Sequence, residues 1–189
     1  RNVTIFRKDN MAAAIAKNFE AAGNAVNYVE HETDATLDEV VVLAVPYPAV
    51  DDVISRYKYQ LDGKIVVDIT NPLNFETWDE LVVRADGSAA SEIQKKLPNS
   101  KVVKGFNTNF AGTLASGKVG GEIPTVVLLA SDFADAKEQL ITALKDSPLT
   151  VVDAGSLKRA RELEAFGFLQ MTLAVKEEIT WAGGFGIVK

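Results

Sequence analysis

Val40-Val41-Val42-Leu43-Ala44-Val45-Pro46-Tyr47-Pro48 is an unbroken apolar run closed by two prolines. A run without apolar/polar alternation suits a strand buried on both faces. Prolines at its end open a helix, because the first helical turn leaves its N–H groups unused anyway. Val50, Val53, Ile54 and Tyr57 follow at helical spacing and supply that helix with one apolar face. The same grammar recurs on both sides. Apolar runs lie at 3–6, 25–30, 65–69, 101–106, 125–130, 150–152 and 185–188. Between them, Met11, Ile15, Phe19 and Ala22 form one helical stripe closed by Gly23-Asn24. Ser88 opens a helix with Ala89, Ile93 and Leu97 inward and Pro98 stopping it. Ser131-Asp132 opens another, with Phe133, Ala136, Leu140, Ile141 and Leu144 on one side. A long helix is expected from Ser156 toward Ile179, with Gly167 as its weak point.

Strands alternating with helices predict an α/β fold: a doubly wound, mostly parallel Rossmann-like sheet with helices on both faces. With 189 residues the chain reads as one domain, 1–189, and nothing in it resembles a linker or an internal repeat. The Gly-rich stretch 112–121 reads as a mobile loop with two turns. The connection from Glu30 to Val40 is too short for the usual crossover helix, so this part of the sheet is expected to be abbreviated.

Composition narrows the chemistry. There is no cysteine and a single histidine, His31, which excludes disulfides, thiolate metal sites and a cysteine nucleophile; no metal site is expected. A net charge of −6 argues against nucleic acid or anionic lipid as partner. No stretch of about 18 apolar residues is present to span a membrane. The first residues read as a strand and not as a secretion signal. The cytoplasm is the simplest address, and the absence of an initiator methionine leaves room for residues upstream.

In doubly wound sheets ligands bind at the carboxyl ends of the strands, where strand order reverses. The first strand–turn–helix is therefore decisive. A dinucleotide turn needs Gly-x-Gly-x-x-Gly/Ala. The six matching residues here are Arg7-Lys8-Asp9-Asn10-Met11-Ala12, of which only Ala12 fits. Asp9 puts a carboxylate where the pyrophosphate would approach, and it is placed to cap the following helix. Arg7 and Lys8 pull the other way, since either reaches a phosphate from the rim. Glu30 lies 21 residues beyond Asp9 (30 − 9), about where an acid accepts bonds from the ribose 2′-OH of NAD and repels the 2′-phosphate of NADP. Glu32 adds a second acid. His31 between them reads first as solvated, second as an adenosine-edge contact and last as a catalyst.

The opening Val3-Thr4-Ile5-Phe6 with Asn10-Met11, then Leu43-Ala44-Val45-Pro46-Tyr47, Asp68-Ile69-Thr70-Asn71-Pro72-Leu73, Ser88-Ala89-Ala90 and Val103-Lys104-Gly105-Phe106-Asn107-Thr108 are the informative blocks. Together with Ala160-Arg161-Glu162-Leu163-Glu164 and the closing Gly184-Phe185 they span nearly the whole chain. In these blocks the chain resembles the deazaflavin-dependent (coenzyme F420 type) NADP oxidoreductase family, with the glycines of the first turn replaced. The resemblance implies a nicotinamide domain passing a hydride to or from a flavin-like or other small-molecule acceptor, flavin or deazaflavin. It implies cofactor contacts, NADP or NAD, at Phe6, Arg7, Lys8, Asn10, Met11, Glu30, His31, Ala44, Val45, Pro46, Tyr47 and Asn71. Acceptor contacts follow at Pro72, Leu73, Phe106, Asn107 and Asn109. The altered turn implies weakened binding. It leaves open a non-catalytic, ligand-sensing or partner-binding domain.

Individual residues carry two readings each. Tyr47 covers a ring or is a partly buried aromatic at a helix start. Asn71 binds a carboxamide or ribose, or is a turn residue before Pro72. Asn107 and Asn109 bind acceptor oxygens or satisfy loop backbone. Asp68 reads as a strand-end structural acid. Arg159, Arg161, Glu162 and Glu164 read as a solvated, salt-bridged helix face. Trp78 and Trp181 pack, line the substrate side or meet a second subunit. The apolar C-terminal region suggests a homodimer. No residue is singled out as catalytic, because in hydride transfer the cofactor carries the chemistry.

Overall fold

The structure is a computed structural model describing residues 1–32 and 34–189. Its main sheet has seven strands in the order β2-β1-β3-β4-β5-β8-β9. These are β1 (Asn2–Phe6), β2 (Ala25–Val29), β3 (Val40–Leu43), β4 (Ile65–Asp68), β5 (Lys101–Lys104), β8 (Val126–Ala130) and β9 (Thr150–Gly155). The first five run parallel. β8 turns antiparallel against β5 through the single pair Lys104–Ala130, and β9 runs parallel to β8. The chain moves from β1 outward to β2 and returns on the other side to β3. The strand order therefore reverses between β1 and β3, and a crevice opens at their carboxyl ends.

Alternate residues of the valine runs face opposite layers. Val40 and Val42 join α1 (Asn10–Ala21) and α5 (Ala134–Ala143) in one core, with Ile15, Phe19 and Leu140. Val41 and Leu43 join α2 (Tyr47–Leu61) and α3 (Ala89–Lys96) in the other, with Val53, Ile54, Tyr57 and Ile93. This is why the runs lack alternation: both faces of each strand are dry. Ser88 caps α3 through a reciprocal pair with Ser91. The connection from β2 to β3 contains no helix among the described residues.

Three expectations are corrected. Residues 112–121 are not a loop: they contain most of α4 (Ala111–Ser116) and the first strand, β6 (Lys118–Val119), of a small hairpin that β7 (Ile123–Pro124) completes. The glycines serve its geometry, with Gly117 as a left-handed helix cap and Gly120-Gly121 in the turn, all at positive φ. Residues 185–188 add no strand; Phe185 instead packs on Phe166 and its N–H donates to Gln170. The last helix, α6, spans Ala160–Val175 behind a single 3-10 turn, ends short of Ile179, and runs unbroken through Gly167. A Cβ at residue 167 would lie 2.4 Å from Asn71 Oδ1 and 3.0 Å from the Asn107 carbonyl. Glycine is thus required for close approach. Gly167→Ala should destabilise by about 1–3 kcal/mol, as overpacking does, despite the roughly 1 kcal/mol that alanine gains in helix propensity. Denaturant unfolding of the two proteins measures this.

Candidate functional site

The turn after β1 holds its sequence in a strained form. Arg7 has φ 74°, the left-handed conformation for which the first glycine of a dinucleotide turn is used. Asp9 is the N-cap of α1: its Oδ1 accepts from the Ala12 N–H at 2.9 Å. Arg7 Nε lies 3.4 Å from Asp9 Oδ2. The positive end of α1 therefore already carries a carboxylate, partly neutralised by a guanidinium. Lys8 leans over the Tyr28 ring, 5.4 Å from its centroid.

Three cavities adjoin along the carboxyl edge of the parallel strands. The outer one, about 370 Å³, lies beside the ends of β1 and β2, where Arg7, Lys8, Glu30, His31, Asp52 and Arg56 meet. The middle one, about 470 Å³, has an apolar floor of Ala44, Val45, Pro46 and Ile69, with Tyr47 and Phe75 on its rim. The inner one, about 490 Å³, lies toward β5 between Met11, Met171, Asn71, Asn109, Phe110 and Trp181. Asp9 borders all three. Arg7, Val45 and Pro46 are shared by the outer and middle cavities. Met11, Ile69, Asn71 and Met171 are shared by the middle and inner ones.

Charge is unevenly spread. In the outer cavity, Arg56 is 2.9 Å from Asp52 and donates to the Glu32 carbonyl, which also receives the Tyr57 hydroxyl. The Glu32 carboxylate accepts from the Glu30 N–H at 2.7 Å, and backbone N–H bonds hold its carboxyl below the usual range. Burial pushes the Tyr47 phenol above its ordinary value, so this rim group is a neutral hydroxyl. Between the middle and inner cavities, Asn71 and Asn107 interlock. Asn71 Nδ2 donates to the Asn107 carbonyl at 2.9 Å, and Asn107 Nδ2 donates to Asn71 Oδ1 at 3.0 Å and to the Leu163 carbonyl at 2.8 Å. The carbonyl partners fix the orientation of both amides. Asn109 Nδ2 donates to the Val126 carbonyl. The buried Oδ1 atoms of Asn107 and Asn109 have no donor among the described residues.

Behind this layer lies a buried charge cluster. Lys104 Nζ is 2.9 Å from Asp68 Oδ2 and 3.0 Å from Glu164 Oε2, and all three side chains are covered. Glu164 also accepts from the N–H groups of Ala89 and Ala90 at the start of α3. Burial raises the Glu164 carboxyl above its ordinary value, with Lys104 opposing the rise and Asp68 adding to it. Glu164 is therefore not part of a solvated face, whereas Arg159, Arg161 and Glu162 do pair at the surface. Asp68 is a structural acid, as its position at the strand end suggests.

Most residues singled out from sequence line the groove. Phe6, Arg7, Lys8, Glu30 and His31 border the outer cavity, and Ala44, Val45, Pro46 and Tyr47 border the middle one, into which Val45 and Pro46 extend from the outer. Asn10, Met11, Asn71, Asn107 and Asn109 border the inner one. Three do not line it. Phe106 is buried, at φ 62°, with its ring against Phe19. Leu73 is buried and bridges to Leu81, and the carbonyl of buried Pro72 accepts from the Val82 N–H. They shape the loop after β4 and do not face a cavity. Sequence reasoning passed over Arg56, Phe75, Phe110 and Met171. Arg56 had a legible signal, since it follows the buried Val53 by less than one turn of α2. Met171 had none, because nothing local says where α6 returns.

Comparison with known proteins places the chain. A profile of the family described as "NADP oxidoreductase coenzyme F420-dependent" matches residues 1–72. An F420-dependent NADP reductase of Methanocaldococcus jannaschii is 30% identical over 152 residues, covering 78% of this chain and 67% of that protein. The human metalloreductase STEAP2 is 27% identical over 153 residues, covering 79% of this chain but 29% of that protein. Among solved structures, a candidate F420-dependent NADP reductase from Arthrobacter superposes with a TM-score of 0.84 at 23% identity, covering 99% of both chains.

Proposed function

This chain belongs to the family of coenzyme F420-dependent NADP oxidoreductases, and on that premise we propose that it transfers a hydride between NADP(H) and a flavin-like small molecule, deazaflavins included. The observation that carries the reading is the run of three adjoining cavities at the topological switch point. The adenosine half takes the outer cavity, where Arg7, Lys8 and Arg56 offer cations to its phosphates. The nicotinamide half takes the middle one, on the floor of Val45, Pro46 and Ile69, with the Asn71 amide in reach of a carboxamide. The acceptor takes the inner one. The nicotinamide supplies the hydride chemistry when bound, and the chain's own residues orient the rings and exclude water.

The residues fit a dinucleotide in extent and in the apolar floor. They fit least at α1, where the Asp9 carboxylate holds the helix end a phosphate would use. That one observation favours the second reading, a nucleotide-sensing domain without turnover. Calorimetric titration with NADPH and NADH, followed by a stopped assay with a flavin acceptor, separates the two. NADPH should bind more than about fivefold tighter than NADH, and flavin reduction should follow. NADH binding tighter would instead bear out Glu30 as the acid that accepts from the ribose 2′-OH and repels a 2′-phosphate. Binding without any reduction would favour the sensor.

A further inference from the structure

We propose that the buried Lys104–Asp68–Glu164 cluster is a positioning element for the groove: it holds the Asn71 amide in the orientation that a nicotinamide ring meets. This rests on reading the middle cavity, which Asn71 borders, as the nicotinamide site. The three charged side chains are covered and lie behind the cavities, bordering none of them. They act on Asn71 through its neighbours, from two sides.

The first side is the backbone. Just past β4, Asp68 Oδ1 accepts from the Thr70 N–H at 2.9 Å and from the Thr70 hydroxyl at 2.7 Å, while Oδ2 faces Lys104. The Lys104 ammonium also donates to the Thr70 carbonyl. That carbonyl belongs to the planar peptide unit leading into Asn71, so the cluster fixes the plane from which the amide springs. The second side is α6. Glu164 ties the helix to Lys104 at 3.0 Å. The residue before it, Leu163, gives its carbonyl to Asn107 Nδ2, which also donates to Asn71 Oδ1 at 3.0 Å. One turn further on, a Cβ at Gly167 would lie 2.4 Å from that same oxygen. A shift of α6 against β5 therefore displaces the Asn71 side chain.

A covered ion cluster is a weak source of stability, since packed apolar residues of similar volume often do as well. What it adds is direction, because charge-assisted hydrogen bonds fix angle as well as distance. Here they join β4, β5 and α6 at one point. What they hold in place is a donor. Asn71 Nδ2 carries two hydrogens. One goes to the Asn107 carbonyl at 2.9 Å, and the other faces the Met171 sulfur, a weak acceptor, at 3.5 Å. A carboxamide oxygen in the middle cavity replaces that sulfur as partner. A displacement of about 1 Å forfeits the bond.

The test is calorimetric titration of the full chain with NADP⁺ and with 2′-phospho-ADP-ribose, which keeps the adenosine and the phosphates and lacks the nicotinamide. Glu164→Gln and Asp68→Asn attack the cluster from its two sides, each keeping an oxygen and losing a charge, so either one that folds decides. Each should weaken NADP⁺ by at least about threefold and leave 2′-phospho-ADP-ribose within about 1.5-fold. Asn71→Ala should show the same ring-dependent loss. In the Asn71→Ala background the cluster variants should cost NADP⁺ nothing more, the non-additivity of groups that act through one another. Equal losses for both ligands would mean general loosening of the fold and would overturn the proposal. So would an unchanged NADP⁺ affinity, or losses that simply add to that of Asn71→Ala. If native NADP⁺ binding is seen and the variant results fail, only this proposal falls. If the native chain does not bind NADP⁺, the nicotinamide reading falls and takes the proposal with it.

Discussion

Replacing Lys104 with methionine should remove about 3–5 kcal/mol of folding stability, the usual result of stranding buried charge. Methionine keeps the length of the side chain and deletes its ammonium, so the loss reports charge and not volume. In the native chain the ammonium is fully used: it faces Asp68 and Glu164 and donates to the Thr70 carbonyl. Without it two covered carboxylates face one another with only backbone N–H groups and the Thr70 hydroxyl to satisfy them. Glu164→Gln should behave differently. It leaves a one-to-one Lys104–Asp68 pair and keeps an oxygen for the Ala89 N–H, but turns an NH2 toward the Ala90 N–H and the Lys104 ammonium, so it should cost about 1–3 kcal/mol, less than Lys104→Met. Adding Glu164→Gln to Lys104→Met should then recover a large part of the loss.

The loss should also depend on pH, with a definite sign. The folded state raises the Glu164 carboxyl, so folding favours its protonated form. Its contribution is most favourable below the ordinary carboxyl value and declines as pH rises through the raised folded value. Lys104 opposes that rise. Removing it pushes the folded value further up and widens the window. Lys104→Met should therefore lose less stability at about pH 5 than at about pH 8. Urea unfolding at both values measures this, and an equal loss at both would show that Glu164 does not carry the effect.

The parts of the molecule that were legible in sequence are those whose physics is local. The valine runs declared strands with two dry faces, Ser88 declared a helix start, and Asp9 declared a cap. The missing crossover helix after β2 followed from counting residues. What escaped depends on contacts between distant segments. Glu164 looks like any charged residue on a helix, and only the return of α6 over β5 turns it inward against Lys104, 60 residues earlier (164 − 104). Phe106 ends a strand among residues that line the groove, yet a left-handed backbone turns it into the core beneath α1. Gly167 looked like a defect in a helix. It is the point at which that helix touches the Asn71–Asn107 pair. The same long-range return brings Met171 to the groove, which nothing local signals, and Trp181, for which lining the substrate side was one of three readings that the sequence left open.

Restoring glycine at residues 7 and 9 together should tighten NADPH binding by at least tenfold, about 1.4 kcal/mol. The two changes are coupled through the Arg7–Asp9 pair, and the gain comes from clearing the helix end. Glycine at residue 7 adopts φ 74° without strain, where arginine is held in a conformation that costs L-residues roughly 1–2 kcal/mol. Glycine at residue 9 removes both bulk and like charge from the helix end, freeing the Ala12 N–H for a phosphate oxygen. The double change keeps the turn's charge balance, because Arg7 and Asp9 already neutralise one another. Stability should hardly change: glycine at an N-cap loses only a few tenths of a kcal/mol relative to aspartate, which the relief at residue 7 offsets. The single variants give the diagnosis. Arg7→Gly alone leaves the Asp9 carboxylate uncompensated and should weaken binding. Asp9→Asn keeps an oxygen for the cap, deletes the charge and releases Arg7, so it should tighten binding, by a margin that shrinks as salt is raised. If the double variant gains nothing, the carboxylate at α1 is not what limits the cofactor, and the outer cations must already draw the phosphates past it.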